Sequence, residues 1–129
     1  MAVRFNITQN HEWFTNTARN LDFEVLNADP EEDVNATPTN IVGFNIKWTF
    51  SDTNQIAAVK HINGKTASIV GVFNAVRSLN TQRARVTVLA TETNIIPGDV
   101  TRYHELRRTD VGAESVLCFG DAYLCQSPV

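Results

Sequence analysis

The sequence lacks a long apolar segment, and this absence limits where the protein can act. No run among its 129 residues approaches the roughly 20 apolar residues of a membrane-spanning helix. The N-terminus, Met1-Ala2-Val3-Arg4, has neither the apolar block nor the small-residue cleavage site of a signal peptide. We therefore expect synthesis in a cytoplasm and no association with a membrane.

Motifs of catalysis and phosphate binding are also absent. The sequence contains no G-x-S-x-G motif, no glycine-rich phosphate loop and no cysteine close to a histidine. His104-Glu105 begins like a zinc-protease helix, but Arg108 occupies the position of the second histidine. These absences predict a protein that is not an enzyme, with no catalytic residue, metal site or cofactor. Each of the three histidines is expected to be a surface or interface residue.

Cysteine is scarce, since Cys118 and Cys125 are the only two in the chain. On one extended strand they would lie about 20 Å apart, which is too far for a disulfide. They could meet only if the chain reversed its direction around Gly120-Asp121. In a cytoplasmic product we expect two free thiols that pack as small apolar side chains.

Basic residues are outnumbered, with 11 lysines and arginines against 14 acidic residues and a net charge of −3. This balance argues against a general nucleic-acid-binding protein, because phosphate binding depends on a basic surface. Acidic residues are concentrated before Gly64, whereas most arginines follow it. The two halves could complement each other between copies of the chain, although an ordinary mixed surface explains the same distribution.

Short segments of alternating apolar and polar residues recur along the chain and predict β-strands. The strongest alternation places Phe44, Ile46, Trp48 and Phe50 on one face, which we expect to be a central strand of the core. Further strands are predicted at residues 21–25, 56–62, 66–73, 85–89, 103–108 and 116–120.

The connections between these strands have recognisable turn residues. Asn63-Gly64 predicts a tight type I′ hairpin. Residues 27–40 predict a long loop, in which four carboxylates between Asp29 and Asp33 suggest calcium binding. Pro30 and the lack of a glycine at the usual ligand spacing favour a solvated acidic loop instead. Residues 73–79 are the only segment with helical spacing.

The segment from Thr81 to Tyr123 contains several short motifs in a fixed order: an E-T-x-x-I-P-G turn, a tyrosine-containing strand, a D-x-G hairpin and a closing V-L-x-x-G strand. The residues that match them are Thr93, Ile96, Pro97, Gly98, Tyr103, Leu106, Asp110, Gly112, Val116, Leu117 and Gly120. This order resembles the small β-sandwich structural proteins of tailed bacteriophages, which occur in baseplates, tail-fibre adaptors and capsid decoration. Residues 21–25 and 41–44 also fit the resemblance.

The chain departs from that pattern around Tyr103. Residues 99–102 lengthen the connection from Gly98, and the spacing from Tyr103 to Leu106 is out of phase for the single flat strand of the pattern. We therefore predict a β-bulge in this region.

The alternation and the resemblance predict an all-β fold. We expect residues 21–129 to form a single antiparallel β-sandwich of immunoglobulin-like or jelly-roll type, with seven to nine strands by the typical range. Residues 1–20 are expected to be an extended N-terminal arm or an edge strand. An arm laid on a neighbouring subunit would be dispensable for folding.

The resemblance implies a non-enzymatic structural subunit of a tailed-phage virion. Its expected partners are copies of itself and a larger virion protein, such as the major capsid protein. A capsid decoration or cement role is favoured, because the sequence ends soon after the last expected strand. A tail, baseplate or fibre-adaptor subunit is the alternative within this class.

Two kinds of residue are candidates for the subunit interface. Apolar residues near the N-terminus would anchor an arm, and arginine is favoured at protein interfaces although it also protects sheet edges. The candidates are Phe5, Ile7, Trp13, Phe14, Arg83, Arg85, Arg102, Arg107 and Arg108. A hypothesis from a different class is a carbohydrate- or peptide-binding module that uses Trp13 or residues 27–40.

Overall fold

A computed structural model describes residues 2–128 and confirms that the protein is all-β. Its strands are β1 (Val3–Arg4), β2 (Arg19–Phe23), β3 (Ile46–Ser51), β4 (Lys60–Thr66), β5 (Ser68–Val70), β6 (Arg83–Val88), β7 (Val100–Arg108) and β8 (Ser115–Leu124). One short helix, α1 (Ala90–Thr93), and two 3-10 turns, Gln9–His11 and Arg77–Leu79, complete the regular structure of the described residues.

The strands form two sheets. The first has five strands in the order β1-β8-β7-β3-β4, and the second has three in the order β2-β6-β5. Neighbouring strands are antiparallel except β1, which runs parallel to β8. Strands β7 and β8, which are joined by one short turn, pair along most of their length and form the middle of the larger sheet.

One hydrophobic core lies between the two sheets. Trp48 and Phe50 of β3 are fully buried, as the alternation of that segment predicted. Phe23 of the smaller sheet stacks on His104 of the larger sheet, with 5.6 Å between the ring centroids. Because these rings come from both sheets, the core contacts depend on residues distant in sequence.

The N-terminal segment belongs to this core and is not an arm that extends from it. Val3, Ile7 and Trp13 are buried. The segment follows the open edge of β8: the Tyr123 N–H donates to the Ile7 carbonyl at 2.8 Å, and the Cys125 N–H donates to the Trp13 carbonyl at 2.7 Å. Without this segment, the edge of β8 would leave backbone groups unpaired. Within this segment, Val3–Arg4 form the edge strand β1 of the larger sheet.

Gly120 allows the N-terminal segment to approach β8 closely. A Cβ atom at this position would lie 2.5 Å from the carbonyl oxygen of Phe5 and 2.5 Å from Asn6 Oδ1. We expect Gly120→Ala to destabilise the protein by more than about 2 kcal/mol, because overpacking against backbone forces the two strands apart. Chemical denaturation measures this loss.

Gly112→Ala is a matched control for that substitution. Gly112 has a φ of +84°, but a Cβ atom there would meet nothing within 4 Å. Gly112→Ala should lower the free energy of unfolding by about 1 kcal/mol, which is the strain of a left-handed backbone at alanine. Equal losses for the two variants would contradict the steric role of Gly120.

The predicted hairpin at Asn63-Gly64 is wrong. Both residues lie inside β4, where Phe50 is opposite Ile62 and Trp48 is opposite Lys65, so Asn63 and Gly64 together face a single residue. Gly64 has a φ of +68°, and this left-handed conformation produces a bulge rather than a turn. The chain reverses instead over residues 52–59. The first half of the strand predicted at 56–62 is therefore part of this turn.

Two other local predictions also differ from the structure. The bulge predicted near Tyr103 is absent from β7; the register shift in the β7–β8 pair places the additional residue at Leu117. Tyr103 and Leu106 lie on opposite faces of one continuous strand, which accounts for their odd spacing. The helical spacing at 73–79 corresponds to the single 3-10 turn Arg77–Leu79.

Candidate interaction surfaces

The apolar interface candidates near the N-terminus are largely inside their own chain. Ile7 and Trp13 are 1% and 0% exposed, so they cannot contact a partner in this fold. Burial of Trp13, which packs 4.9 Å from Phe50 by ring centroids, also removes it as a platform for a ligand. Phe5 and Phe14 retain partial exposure. Ile7 and Trp13 are therefore core residues, which a short alternating sequence cannot distinguish from an interface.

Arg83 and Arg85 lie on the outer face of the smaller sheet, as their shared alternation predicted. Arg85 binds Asp22 with two hydrogen bonds, Nε to Oδ1 at 2.8 Å and Nη2 to Oδ2 at 3.0 Å. The hydrogen bond from Arg85 lowers the pKa of the Asp22 carboxyl. Arg83 lies 4.0 Å from Glu24, which also accepts hydrogen bonds from Arg77. The arginines of this face therefore already form ion pairs with carboxylates of the same chain.

Arg102 is buried and is not available to a partner. Its side chain is 6% exposed, with Nε donating to Asp52 Oδ1 at 3.2 Å and Nη1 donating to the Pro97 carbonyl at 2.7 Å. These bonds fasten the beginning of β7 to the end of β3 and to the preceding loop. The contacts make Arg102 a structural residue, since loss of either acceptor would leave a donor of its buried guanidinium without a partner.

Arg107 and Arg108 point to opposite faces of β7. Arg108 lies over the ring of Phe44, with its guanidinium carbon 3.7 Å from the centroid, and Nε donates to Asp110 Oδ2 at 2.8 Å. Arg108 and hydrogen bonds from Asn45 hold the pKa of Asp110 at about 2. Arg107 faces outward, and its Nε donates to Glu105 Oε2 at 3.3 Å. All five candidate arginines thus have partners within the chain.

His104 was predicted to be a surface or interface residue, and the structure places it in the core. Trp48 Nε1 donates to His104 Nδ1 at 3.1 Å, so the proton on Nε2 donates to the Phe5 carbonyl at 2.5 Å. Burial lowers the pKa of His104 to about 4, which keeps the imidazole neutral. The signal in the sequence was its alternation with Leu106 on the inward side of β7.

The two cysteines are free and buried, as predicted. Burial raises the pKa of the Cys118 thiol to about 12, and the Sγ–H donates to the Glu24 carbonyl at 3.6 Å. A thiol held protonated in the core behaves as an apolar side chain with one weak hydrogen bond.

The acidic loop uses its carboxylates for its own turns. Asp29 Oδ1 accepts from the Glu31 N–H at 3.0 Å, and Asp33 Oδ1 accepts from the Asn35 N–H at 2.9 Å. Such bonds are typical of Asx turns. Among residues 2–128, no group of three or more His, Cys, Asp or Glu side chains is arranged to hold a metal ion.

Large aliphatic side chains are exposed on the connection between β5 and β6. Val72, Val76 and Leu79 are 74%, 54% and 63% exposed, and we call these three residues the β5–β6 patch. The ends of the connection are tied together, since the Thr81 N–H donates to the Val72 carbonyl at 3.1 Å. Asn80 Oδ1 also accepts from the Asn74 N–H at 2.9 Å. The patch is thus presented on a closed, hydrogen-bonded loop.

The sequence matches no model of a protein family and has no significant similarity to a curated protein. No helix within residues 2–128 is both long and apolar enough to cross a membrane. The chemistry of the surfaces described above is therefore the basis for the proposal that follows.

Proposed function

We propose that this chain is a non-enzymatic structural subunit of a tailed-phage virion and that its two sheets form a sandwich of immunoglobulin-like or jelly-roll type. The protein is made in the host cytoplasm and located in the virion. Its partners are copies of itself and a larger virion protein, such as the major capsid protein. The motif order between Thr93 and Gly120 supports the phage assignment. The β5–β6 patch is the observation that supports an assembly role.

An exposed aliphatic cluster on an ordered loop is suited to protein association. Each of its side chains contributes about 1 to 2 kcal/mol when a partner covers it. The Arg77–Glu24 ion pair, with a 2.8 Å contact, lies beside the patch and supplies a polar rim. Because the hydrogen bonds of the loop hold it before association, little conformational entropy is lost on binding. Repetition of this modest contact by symmetry would give a stable shell.

Capsid decoration is the role that we favour within this class, and a tail, baseplate or fibre-adaptor subunit is the alternative. Both require burial of the β5–β6 patch, so the patch does not distinguish them. Immunogold labelling of particles that contain the protein does. Label over the head would support decoration, whereas label confined to the tail would replace that role with the adaptor role.

The triple substitution Val72→Ser, Val76→Ser and Leu79→Ser should lower the affinity of the protein for its particle at least about tenfold, since a loss of about 1.4 kcal/mol is sufficient for that change. The exposed positions of these side chains predict an unchanged midpoint of thermal unfolding. Co-sedimentation with particles lacking the subunit measures the affinity.

Val34→Ser together with Val111→Ser is the matched control. These valines are 88% and 99% exposed but lie outside the patch, so their substitution removes apolar surface elsewhere on the chain. The control should bind as the unchanged protein does. Equal loss of binding in both variants would show that general surface hydrophobicity, rather than the patch, determines association.

A further inference from the structure

A groove crosses the outer face of the five-stranded sheet. It consists of three adjoining cavities of about 460, 280 and 230 Å³. The first two meet at Thr53, Asn54 and Tyr103, and the first and third meet at Thr101 and Asp121. Residues 52–59, which connect β3 to β4, form one wall. The dimensions fit an extended ligand that occupies several consecutive subsites.

The floor of the groove combines aromatic rings with polar side chains that make no hydrogen bond to residues 2–128. Tyr103, Phe119 and Tyr123 alternate with buried residues and therefore project from the outer face. The carboxylate of Asp121, which lies opposite Tyr103, accepts no hydrogen bond from residues 2–128. Hydrogen-bonding capacity at this position is thus available to a ligand.

Donors lie on the same floor. The guanidinium of Arg4 makes no hydrogen bond to a described side chain and contacts the ring of Phe119, with its central carbon 4.9 Å from the centroid. The side-chain amide of Asn54 likewise has no hydrogen-bond partner in the described part of the chain and can both donate and accept. The largest cavity therefore offers unpaired donors and an unpaired acceptor together, beside a phenol ring.

The charges of the groove argue against a ligand whose charges are all of one sign. Arg4 and Asp121 line the largest cavity without forming an ion pair with each other. In the neighbouring cavity, Arg107 is paired with Glu105 at 3.3 Å. A polyanion would meet the free carboxylate of Asp121, and a polycation would meet the free guanidinium of Arg4. A neutral ligand rich in hydroxyl groups satisfies both, because a hydroxyl donates to one group and accepts from the other.

The position of the groove also argues against an extended peptide. Such peptides usually bind by pairing their backbone with the open edge of a sheet. The floor of its two larger cavities instead lies over β3, β7 and β8, and each of these strands is already paired with neighbours on both sides. Recognition at this place must therefore come from side chains and aromatic rings.

We propose that this groove binds a neutral oligosaccharide. Asp121 accepts hydrogen bonds from sugar hydroxyls, while Arg4 and Asn54 donate to ring and hydroxyl oxygens. Tyr103, between the two larger cavities, presents its ring to the apolar face of a pyranose. The site is independent of the virion role, since none of its residues belongs to the β5–β6 patch.

Isothermal titration of the isolated full chain with maltohexaose, cellohexaose, mannohexaose and chitohexaose tests this proposal. We expect at least one of them to bind saturably with a Kd below about 1 mM. Asp121→Ala should weaken that binding about tenfold or more, because hydrogen bonds to a charged group are stronger than neutral ones. Tyr103→Phe, which keeps the ring but loses the hydroxyl, should retain binding, whereas Tyr103→Ala should lose it.

Asp22→Ala removes a carboxylate from the outer face of the other sheet and is the matched control. It should leave the Kd unchanged, and thermal unfolding confirms that each variant is folded. Absence of saturable binding by all four saccharides at about 10 mM would overturn the proposal. Binding that Asp121→Ala leaves intact, or binding of acidic saccharides or peptides alone, would also overturn it.

Discussion

Removal of residues 2–14 is expected to abolish the cooperative thermal transition of the protein. The deletion takes away Val3, Ile7 and Trp13 from the core and leaves the edge of β8 without a partner. Loss of a buried tryptophan alone costs about 3 to 5 kcal/mol. The combined loss is comparable to the whole stability of a small domain, about 5 to 15 kcal/mol. Circular dichroism and scanning calorimetry of the truncated chain measure the effect.

A double substitution within the same segment is the control for this deletion. Gln9→Ala with Asn10→Ala alters two exposed residues whose side chains make no hydrogen bond to residues 2–128. It should change the free energy of unfolding by less than about 0.5 kcal/mol per site. A truncated chain that still unfolds cooperatively would show that the segment is an arm, as one reading of the sequence expected.

The free energy of unfolding should fall by about 3 kcal/mol as the pH is lowered from 6.5 to 4, because of His104. Burial lowers its pKa to about 4, from the usual 6.5 of a histidine. Below pH 6.5 the unfolded chain binds a proton at this position, whereas the folded chain does not until the pH approaches 4. The contribution of neutral His104 to the free energy of unfolding is therefore fully present above pH 6.5 and is lost as the pH falls toward 4. Denaturant unfolding at several pH values measures the slope.

His104→Phe should remove most of this pH dependence. The variant has no proton to bind at position 104, but it leaves the Trp48 Nε1–H and the Phe5 carbonyl without their partner. We therefore expect lower stability at pH 7 and a flatter profile between pH 6.5 and 4. Carboxyls with lowered pKa values, such as those of Asp22, Glu92 and Asp110, lose their contribution mainly below about pH 5, and they do so equally in both proteins.

His11→Gln is the control, since it removes a histidine that lies outside the core. It should keep the slope of the unchanged protein. If the unchanged protein showed no loss of stability between pH 6.5 and 4, the neutral, buried state of His104 would be refuted.

The strand assignments that succeeded depended on alternation alone. Trp48 and Phe50 alternate with Lys47 and Thr49, and this period of two requires a strand with one buried face. The hairpin prediction failed because Asn63-Gly64 specifies only a left-handed backbone, which a bulge uses as readily as a turn does. The residue types determined the left-handed backbone at this position. Pairing with β3 then determined that the segment is a bulged strand and not a turn.

The partners of the candidate interface residues could likewise not be predicted from the sequence. Arg85 was identified from its type, but its pairing with Asp22 joins residues that are 63 positions apart. The groove floor was not identified, because Arg4, Tyr103 and Asp121 have no short motif in common and meet only through strand register.

The sequence by itself determined the all-β class and the central strand around Trp48. Those features depend on composition and on a period of two, both of which act over a few residues. Tertiary structure alone decided that Trp13 and His104 are buried, that the N-terminal segment completes β8, and that the groove exists. Burial and strand order arise from contacts between distant parts of the chain, and a single sequence does not specify which of its apolar faces meet.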